Sequence, residues 1–293
     1  MDVVCVGDVM LDIRVDADAL KRGGDVHGRV RLQPGGTSAN SAVWAAWDGA
    51  SSRVHGRIGD DLQGRMMRTS LAERGVEDAL VVDPEEPTGT MLVVHEPGER
   101  SMAADRGANA NLVPGDLPDA LEAGAVLISG YLLLLEAGQD AALAALERAR
   151  APLVAVEAAS WPLVEAFGVG RFFEATAGAT VVLANELEAR TLTGTDGEEA
   201  AAALGERYRV AAVKLGAEGA VLAVDGALHH APAEPVEELD TTGAGDAFDG
   251  VLLASLARGA DPPMALRRAC HAGALVAASA SAWPERTGEE PRG

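Results

Sequence analysis

Short apolar runs alternate along this chain with longer segments rich in alanine and leucine. Several of the apolar runs are continuous, which is typical of strands that are covered on both faces. Strands that alternate with helices are joined by crossover connections. The pattern therefore predicts a mainly parallel sheet between two layers of helices, a three-layer α/β/α sandwich.

The predicted strands are Val3–Val6, Ala125–Ser129, Leu153–Glu157, Val181–Ala184, Ala211–Leu215 and Ala220–Val224. The predicted helices are Ser38–Asp48, Asp60–Arg74, Ala137–Ala149, Glu186–Thr193, Glu198–Tyr208, Gly245–Ala257 and Pro263–Ala278. Residues 13–33 and 88–105 instead alternate polar and apolar side chains between glycines, which predicts antiparallel ribbons that form a small β lid. We expect one domain over residues 1–293, with a frayed polar tail at 284–293.

The acidic composition limits the partners of the protein. A formal net charge of -21 repels nucleic acid and anionic lipid, so we predict neither a nucleic-acid partner nor a membrane partner. Any phosphate-bearing ligand then needs a local binding site. The longest apolar run, around residues 125–135, is too short to span a bilayer, and no leader segment opens the chain. We therefore expect a cytoplasmic protein.

A compact glycine turn before a predicted helix is the most specific chemical motif. Gly243, Ala244 and Gly245 let backbone N–H groups converge at a helix N-terminus, where an anion such as phosphate is stabilised. Asp246 follows directly. A carboxylate there repels phosphate, which suggests that Asp246 accepts a proton from an attacking hydroxyl. The alternative is that Asp246 only caps the helix.

A second glycine turn precedes the first long helix. Gly35 and Gly36 permit close approach of the backbone to a ligand, and Asn40 offers both a donor and an acceptor to neighbouring hydroxyls. Asp12 lies beyond the first strand, where open α/β sheets bind ligands. A polyol would suit this set. The alternatives are an ordinary capped turn and a solvated aspartate at a strand end.

Two further segments follow buried strands. Asn185 and Glu188 share one helix face and either hold a water shell around Mg²⁺ or form a capping box. Lys214 precedes Gly216 and Gly219, which either admit the phosphates or sugar of a nucleotide or make a tight hairpin. Each of these signals is weak in isolation.

The order and spacing of these segments resemble the PfkB/ribokinase family of sugar kinases across nearly the whole chain. The first family signature is matched by Gly35, Gly36 and Asn40 and continues through residues 57–64. The second is matched by residues 240–246, which read Asp-Thr-Thr-Gly-Ala-Gly-Asp. Related family segments correspond to residues 106–110, to the Asn185 and Glu188 pair, and to residues 214–216.

The resemblance implies a ribokinase-like fold and transfer of the γ-phosphoryl group of ATP, with Mg²⁺, to a hydroxyl of a sugar or sugar acid. It makes Asp246 the catalytic base and assigns the anion hole to Gly243, Ala244 and Gly245. The implied acceptor-binding residues are Asp12, Gly35, Gly36, Asn40, Arg106 and Tyr131. The implied nucleotide-binding residues are Asn185, Lys214, Gly216, Gly219 and His271, with Glu188 holding Mg²⁺ through water.

Departures from the family pattern leave the acceptor open. Thr37, Met10 and Tyr131 stand where ribokinases usually carry a lysine, an asparagine and a glutamate, so the pocket is less polar than a ribose site. A longer sugar, a sugar acid or a nucleoside base would fit an apolar wall beside Asp12. Arg106 or Arg14 could pair with a substrate carboxylate, and the alternative for Arg106 is a surface or ion-pair residue. The alternative functions are a nucleoside kinase and a catalytically silent metabolite-binding member.

Other implied features are a monovalent-cation site, an adenine contact and a dimer. Asp240 and Thr242 of the potassium site are retained, but Ala282-Trp283 replaces a glycine–alanine pair, which argues against potassium activation. His271 either stacks on adenine or packs beneath it. The lid strands are expected to support a homodimer, unless the charges of Arg29 and Arg31 discourage edge pairing.

Overall fold

The computed structural model describes residues 1–17, 23–96 and 99–284. The strands are β1 Val3–Val6, β2 Met10–Ala17, β3 Gly28–Gly35, β4 Ser52–Gly59, β5 Val76–Asp83, β6 Thr90–Glu96, β7 Glu99–Asp105, β8 Leu121–Glu122, β9 Ala125–Ile128, β10 Ala149–Arg150, β11 Leu153–Glu157, β12 Val181–Asn185, β13 Val210–Lys214, β14 Ala220–Val224 and β15 Ala227–Ala231. The α-helices are α1 Thr37–Trp47, α2 Leu62–Ala72, α3 Gly130–Leu134, α4 Gln139–Arg148, α5 Trp161–Phe167, α6 Val169–Ala175, α7 Glu186–Thr193, α8 Gly197–Gly205, α9 Ala244–Ala257 and α10 Pro262–Ala277.

Within these residues, nine strands form the central sheet in the order β15-β14-β13-β12-β11-β9-β1-β4-β5. Neighbours from β13 to β5 pair in parallel. At one edge of this sheet, β14 pairs antiparallel with both β13 and β15. The predicted mainly parallel sheet is confirmed.

Alternate side chains of each central strand enter two separate hydrophobic cores. In β1, Val3 and Cys5 pack with residues of α1, α2, α9 and α10, whereas Val4 and Val6 pack with residues of α3 to α8. This is the alternation that a strand imposes on its side chains. The predicted three-layer α/β/α sandwich is confirmed.

Three strands of the central sheet, β4, β5 and β15, were absent from the sequence prediction. Strand β4 is almost fully buried, but His55 and Arg57 interrupt its apolar pattern. Gly56 of the same strand has a packing reason, because a Cβ there would lie 2.7 Å from the carbonyl oxygen of Gly7. Such a glycine marks close backbone approach and weakens the local strand signal.

The second sheet has the strand order β3-β2-β6-β7. Pairs β2/β3 and β6/β7 are antiparallel as predicted, and β2 and β6 join the two ribbons in parallel. We call this the lid sheet. Residues 18–22 and 97–98 of the predicted ribbons, and 285–293 of the predicted tail, lie outside the described residues. Across the described part of the chain, each helix is too short or too polar to cross a membrane.

Candidate active site

A cavity of about 1030 Å³ opens where the parallel strands end and the lid sheet begins. Ligand pockets commonly enclose roughly 300–1,000 Å³, so this one has room for two small molecules. The lining residues at or after the ends of central strands are Asp8, Tyr131, Glu157, Asn185, Glu188 and Lys214. From the lid sheet, the paired residues Asp12, Met91 and Ala104 line the opposite wall.

The glycine turn before α9 places backbone donors on this cavity. Gly243 is the N-cap, with a left-handed φ of 85°. A Cβ at Gly243 would lie 2.7 Å from the Cβ of Ala282, so the packing also requires glycine. The N–H of Ala244 donates to the carbonyl oxygen of Thr241 at 3.1 Å. The N–H groups of Gly245 and Asp246 belong to the first helical turn, which has no intrahelical acceptors.

Asp246 lies in the first turn of α9 and lines the cavity. Burial raises the pKa of its carboxyl to about 7, with a further increase from the charge of Asp249. The amide of Asn40 opposes this shift, because its Nδ2 donates to Oδ2 of Asp246 at 2.7 Å. A carboxyl that titrates near neutral pH is suited to general acid–base chemistry.

Trp283 orients Asn40, a role that sequence reasoning missed. The indole Nε1 donates to Oδ1 of Asn40 at 2.6 Å. Because an indole N–H is only a donor, this bond directs the Asn40 amide nitrogen towards Asp246. Trp283 and Asn40 are 243 residues apart, so no local pattern signals the contact.

Lys214 places a positive charge beside the first turn of α9. Its Nζ donates to both carboxylate oxygens of Asp249, at 2.7 and 2.9 Å. The same nitrogen lies 3.4 Å from where a Cβ of Gly245 would be. Burial alone would lower the pKa of Lys214, but the charges of Asp249 and Glu188 outweigh it and the pKa is raised. The amine therefore stays protonated.

Asn185 and Glu188 form a reciprocal capping box at the start of α7. The Glu188 N–H donates to Oδ1 of Asn185 at 3.0 Å, and the Asn185 N–H donates to Oε2 of Glu188 at 2.8 Å. Both residues also line the cavity. Burial raises the pKa of Glu188, against the opposing charge of Lys214. The capping alternative is therefore present in the structure, and it leaves both side chains at the cavity.

Asp12 lines the lid-sheet wall of the cavity, next to the glycine turn before α1. Burial raises the pKa of Asp12 to about 6, and the charge of Arg14 opposes that increase. A Cβ at Gly35 would lie 2.6 Å from Oδ1 of Asp12. Gly36 has a φ of +93°, and a Cβ there would lie 2.6 Å from the carbonyl oxygen of Asp8. The two glycines thus make room for the Asp12 carboxylate and for a close backbone contact.

Arg106 is paired with an acid of its own chain. Its Nη2 donates to Oδ1 of Asp8 at 2.5 Å, and the hydroxyl of Ser129 donates to Oδ2 of Asp8 at 3.3 Å. Asp8 is 3% exposed and Arg106 lines the cavity. Of the two alternatives for Arg106, the ion pair is the one present in the structure.

Glu157 is a second cavity acid that the sequence analysis did not single out. It ends β11, is 7% exposed, and accepts a hydrogen bond from the N–H of Gly130 at 3.1 Å. Burial, with the charges of Asp246 and Glu188, raises the pKa of Glu157 well above its ordinary value. Burial and the same acids raise the pKa of neighbouring Tyr131. The position of Glu157 at the end of a predicted parallel strand was the sequence signal that could have identified it as a site residue.

Of the remaining predicted residues, Gly216, Gly219 and Thr242 line the cavity, whereas His271 and Asp240 do not. A Cβ at Gly219 would lie 2.0 Å from the carbonyl oxygen of Ala231. Nδ1 of His271 lies 2.8 Å from Oε2 of Glu234, and it is Glu234 that lines the cavity. Asp240 accepts hydrogen bonds from the N–H and hydroxyl of Thr242, at 2.9 and 2.7 Å.

Fold and site together define an α/β protein with a ligand cavity at the carboxyl ends of its strands and an acid beside a helix N-terminus. The sequence profile of the pfkB family carbohydrate kinases matches residues 1–285. The chain therefore belongs to the PfkB family of carbohydrate kinases, which are phosphotransferases with a hydroxyl acceptor.

Relatives and solved structures cover nearly the whole chain. Fructokinase from Klebsiella pneumoniae is 31% identical over 94% of this chain and 93% of its own length. Adenosine kinase from Sinorhizobium meliloti superposes with a TM-score of 0.88 at 24% identity, covering 97% of this chain and 96% of that one. A double mutant of fructokinase from Vibrio cholerae O395, solved with fructose, ADP and potassium, has a TM-score of 0.79 at 26% identity, covering 96% and 94%.

Proposed function

We propose that the protein transfers the γ-phosphoryl group of ATP to a hydroxyl of a neutral sugar, with Asp246 as the base. The observation that carries this proposal is the position of the Asp246 carboxyl, which lines the cavity in the first turn of α9 and has a pKa near neutrality. A capping aspartate would accept a backbone bond at the helix start, whereas Asp246 accepts a bond from Asn40.

The proposed reaction is a single displacement. Asp12 and the backbone at Gly36 orient the acceptor, and Oδ1 of Asp246 accepts the proton of the attacking hydroxyl. The acceptor oxygen bonds to the γ-phosphorus while the bond from that phosphorus to the bridging oxygen of ADP breaks. The N–H groups of Gly245 and Asp246 and the ammonium of Lys214 stabilise the charge on the transferred group.

The nucleotide end fits ATP, since Gly216 and Gly219 leave the cavity wall free of side chains and Gly273 and Ala274 of α10 line it as well. Within residues 1–17, 23–96 and 99–284, no cluster of three His, Cys, Asp or Glu side chains is arranged to hold a metal ion. Glu188 would hold Mg²⁺ through water, because Mg²⁺ usually keeps several of its waters. Bound with ATP, Mg²⁺ supplies charge neutralisation at the phosphates.

A neutral sugar is favoured over a sugar acid because Asp8 already neutralises Arg106. The carboxyl groups of Asp12 and Glu157 also line the cavity. A substrate carboxylate would compete with Asp8 for Arg106 and would lie close to these acidic side chains. The second candidate is a nucleoside, which is favoured by an apolar stretch of the cavity wall. That stretch consists of Met10, Met91, Met102, Leu135 and Leu163.

A panel of acceptors assayed for ADP release tests the proposal. The panel contains fructose, ribose, a sugar acid and adenosine, and we expect the fastest turnover with a neutral sugar. Asp246→Asn should lower turnover by about 10²- to 10⁴-fold while ATP binding persists, because only the proton acceptor is lost. Asp60→Asn is the matched control, since the Asp60 side chain is 79% exposed.

Three results of this assay would contradict parts of the proposal. Undiminished turnover in Asp246→Asn would remove Asp246 from the mechanism. Preference for adenosine would favour the nucleoside kinase. ATP binding without phosphorylation of any acceptor would favour a silent metabolite-binding member.

A further inference from the structure

A buried arginine from the lid sheet connects the loop that follows α10 with the segment before the glycine turn of residues 243–245. We call this glycine turn the anion turn. Arg14 lies on β2 and is 4% exposed. Its guanidinium forms an ion pair with Asp240, whose side chain is 7% exposed. Nη1 of the same guanidinium donates to the carbonyl oxygen of Ala280. One positive group thus bridges a carboxylate and a main-chain carbonyl.

Neighbouring contacts hold this arrangement together. Gln33 Nε2 donates to the same Ala280 carbonyl at 3.0 Å, and Arg14 Nη1 donates to Oε1 of Gln33 at 3.2 Å. On the other side, Oδ1 of Asp240 accepts two hydrogen bonds from Thr242, the residue that precedes Gly243. The guanidinium is therefore connected to the start of the anion turn through only Asp240 and Thr242.

A carboxylate and a carbonyl are the oxygen ligands that a hard monovalent cation would use. Here both already face a guanidinium, and a second cation among them would meet a like charge in a region of low exposure. Asp240 and Ala280 therefore do not fit a potassium ion while Arg14 is in place. The related fructokinase double mutant from Vibrio cholerae O395 was solved with a bound potassium ion.

We propose that Arg14 serves as a built-in cation for Asp240 and the loop after α10, so that this kinase works without potassium and needs a monovalent cation only when Arg14 is removed. The expected effect on enzyme activity rests on the proposed kinase function, whereas the assignment of Arg14 as the cation beside Asp240 does not. Since Arg14 comes from the lid sheet, the same contact also ties β2, which carries Asp12, to the anion turn.

The experiment compares the unaltered protein with Arg14→Met and Arg14→Lys in KCl, NaCl and choline chloride at equal ionic strength. The control is Arg31→Met, because Arg31 is paired directly across from Arg14 in the lid sheet but forms its ion pair with half-exposed Asp16. ADP release and the thermal midpoint of unfolding are both measured. The midpoint gives a reading even if no tested acceptor is phosphorylated.

For the unaltered protein, Arg31→Met and Arg14→Lys, we expect little difference between potassium and choline. The rate of ADP release should change less than about two-fold, and the thermal midpoint should change less than about 1 °C. For Arg14→Met we expect at least a ten-fold lower rate in choline, which potassium restores in a saturable manner, and a midpoint that rises with potassium alone. Ten-fold corresponds to about 1.4 kcal/mol.

Saturable activation of the unaltered protein by potassium, or a rise of its midpoint in potassium, would overturn the proposal. A folded Arg14→Met protein whose rate and thermal midpoint do not change with potassium would also overturn the proposal. If Arg14→Met does not fold, the unaltered protein and Arg14→Lys decide the question, because potassium dependence in either one contradicts a built-in cation. Loss of kinase activity with every acceptor would count against the proposed function and leave the thermal comparison valid.

Discussion

The amide of Asn40 donates to the carboxylate of Asp246 at 2.7 Å, across 206 residues of chain. The amide nitrogen stabilises the ionised carboxyl, whereas burial favours the protonated form. The balance leaves a carboxyl whose pKa is about 7, which suits the proposed role of Asp246 as a base. Besides the acceptor contact that the family resemblance implied, Asn40 lowers the pKa of Asp246 against the larger effect of burial.

The first prediction concerns the pH dependence of kcat/KM. Asp246 accepts a proton only when ionised, and its pKa is about 7, so activity should fall as the pH drops through that value. Asn40→Leu removes a bond that lowers this pKa, and should move the acidic limb of the profile to higher pH. Trp283→Phe should move it in the same direction by less, because Asn40 remains but loses its orienting donor.

Initial rates measured from about pH 5.5 to 9 provide this profile. Trp47→Phe is the control for the tryptophan change, since Trp47 is 39% exposed at the end of α1. An unshifted limb in Trp283→Phe would mean that the indole bond has no influence on Asp246.

The second prediction concerns the buried pair of Lys214 and Asp249. Lys214→Met leaves the Asp249 carboxyl, which is 1% exposed, without its cation. We expect a loss of about 3–5 kcal/mol in the free energy of unfolding at neutral pH. Asp249→Leu in the same chain should recover most of that loss, because no charge then remains to be buried.

The sign of the pH effect follows from the raised pKa of Asp249, which burial produces and Lys214 opposes. Without Lys214 that pKa rises further above its unfolded value of 3.8. The folded state then binds a proton that the unfolded state has released, so stability falls as the pH rises. Urea denaturation near pH 5 and pH 8 should show the larger loss at pH 8, and equal losses would exclude Asp249 as the cause.

The third prediction concerns the backbone at Gly36. Gly36→Ala places a Cβ 2.6 Å from the carbonyl oxygen of Asp8 at a φ of +93°. We expect a loss of at least about 1–3 kcal/mol in the free energy of unfolding from the φ alone, together with weaker acceptor binding.

Gly170→Ala is the matched comparison for Gly36→Ala, because Gly170 lies inside α6 with open space around a Cβ. It should be neutral or stabilise the protein by up to about 1 kcal/mol. Denaturant titration of both variants checks the pair. Equal stability of the two would contradict the close contact at Gly36.

The fourth prediction concerns oligomeric state. Val30, Leu32 and Leu92 are 62%, 54% and 39% exposed, and the strand register places them on the lid-sheet face that also carries Ile13. We propose that this face pairs with a second copy of the chain. Leu32→Lys should then convert a dimer to a monomer in light scattering.

Leu143→Lys serves as the control for the oligomeric state, because Leu143 lies on the exposed side of α4. It should leave the dimer intact. A protein that is monomeric before any substitution would contradict the proposed dimer, and would be consistent with the alternative that Arg29 and Arg31 discourage pairing of the lid edge.

Sequence patterns worked best where the structure is local. Strands β1, β11 and β14 and helix α7 have the predicted bounds, because each is a continuous apolar run or begins with a capping box. The patterns failed for β4, β5 and β15, because polar side chains interrupt the apolar run of each strand although its backbone is paired in the sheet. The short helices α5 and α6, with seven residues each, span too few turns for a periodic signal.

The amino-acid sequence by itself determined the class of fold and the place of the anion turn, because both depend on residue order within short windows. Only the tertiary structure decided which ion pairs the charged residues form. Arg106 pairs with Asp8, Lys214 with Asp249 and Arg14 with Asp240. These partners lie far apart along the chain, and the pKa of a buried group depends on its neighbours in space, which no periodicity or motif encodes.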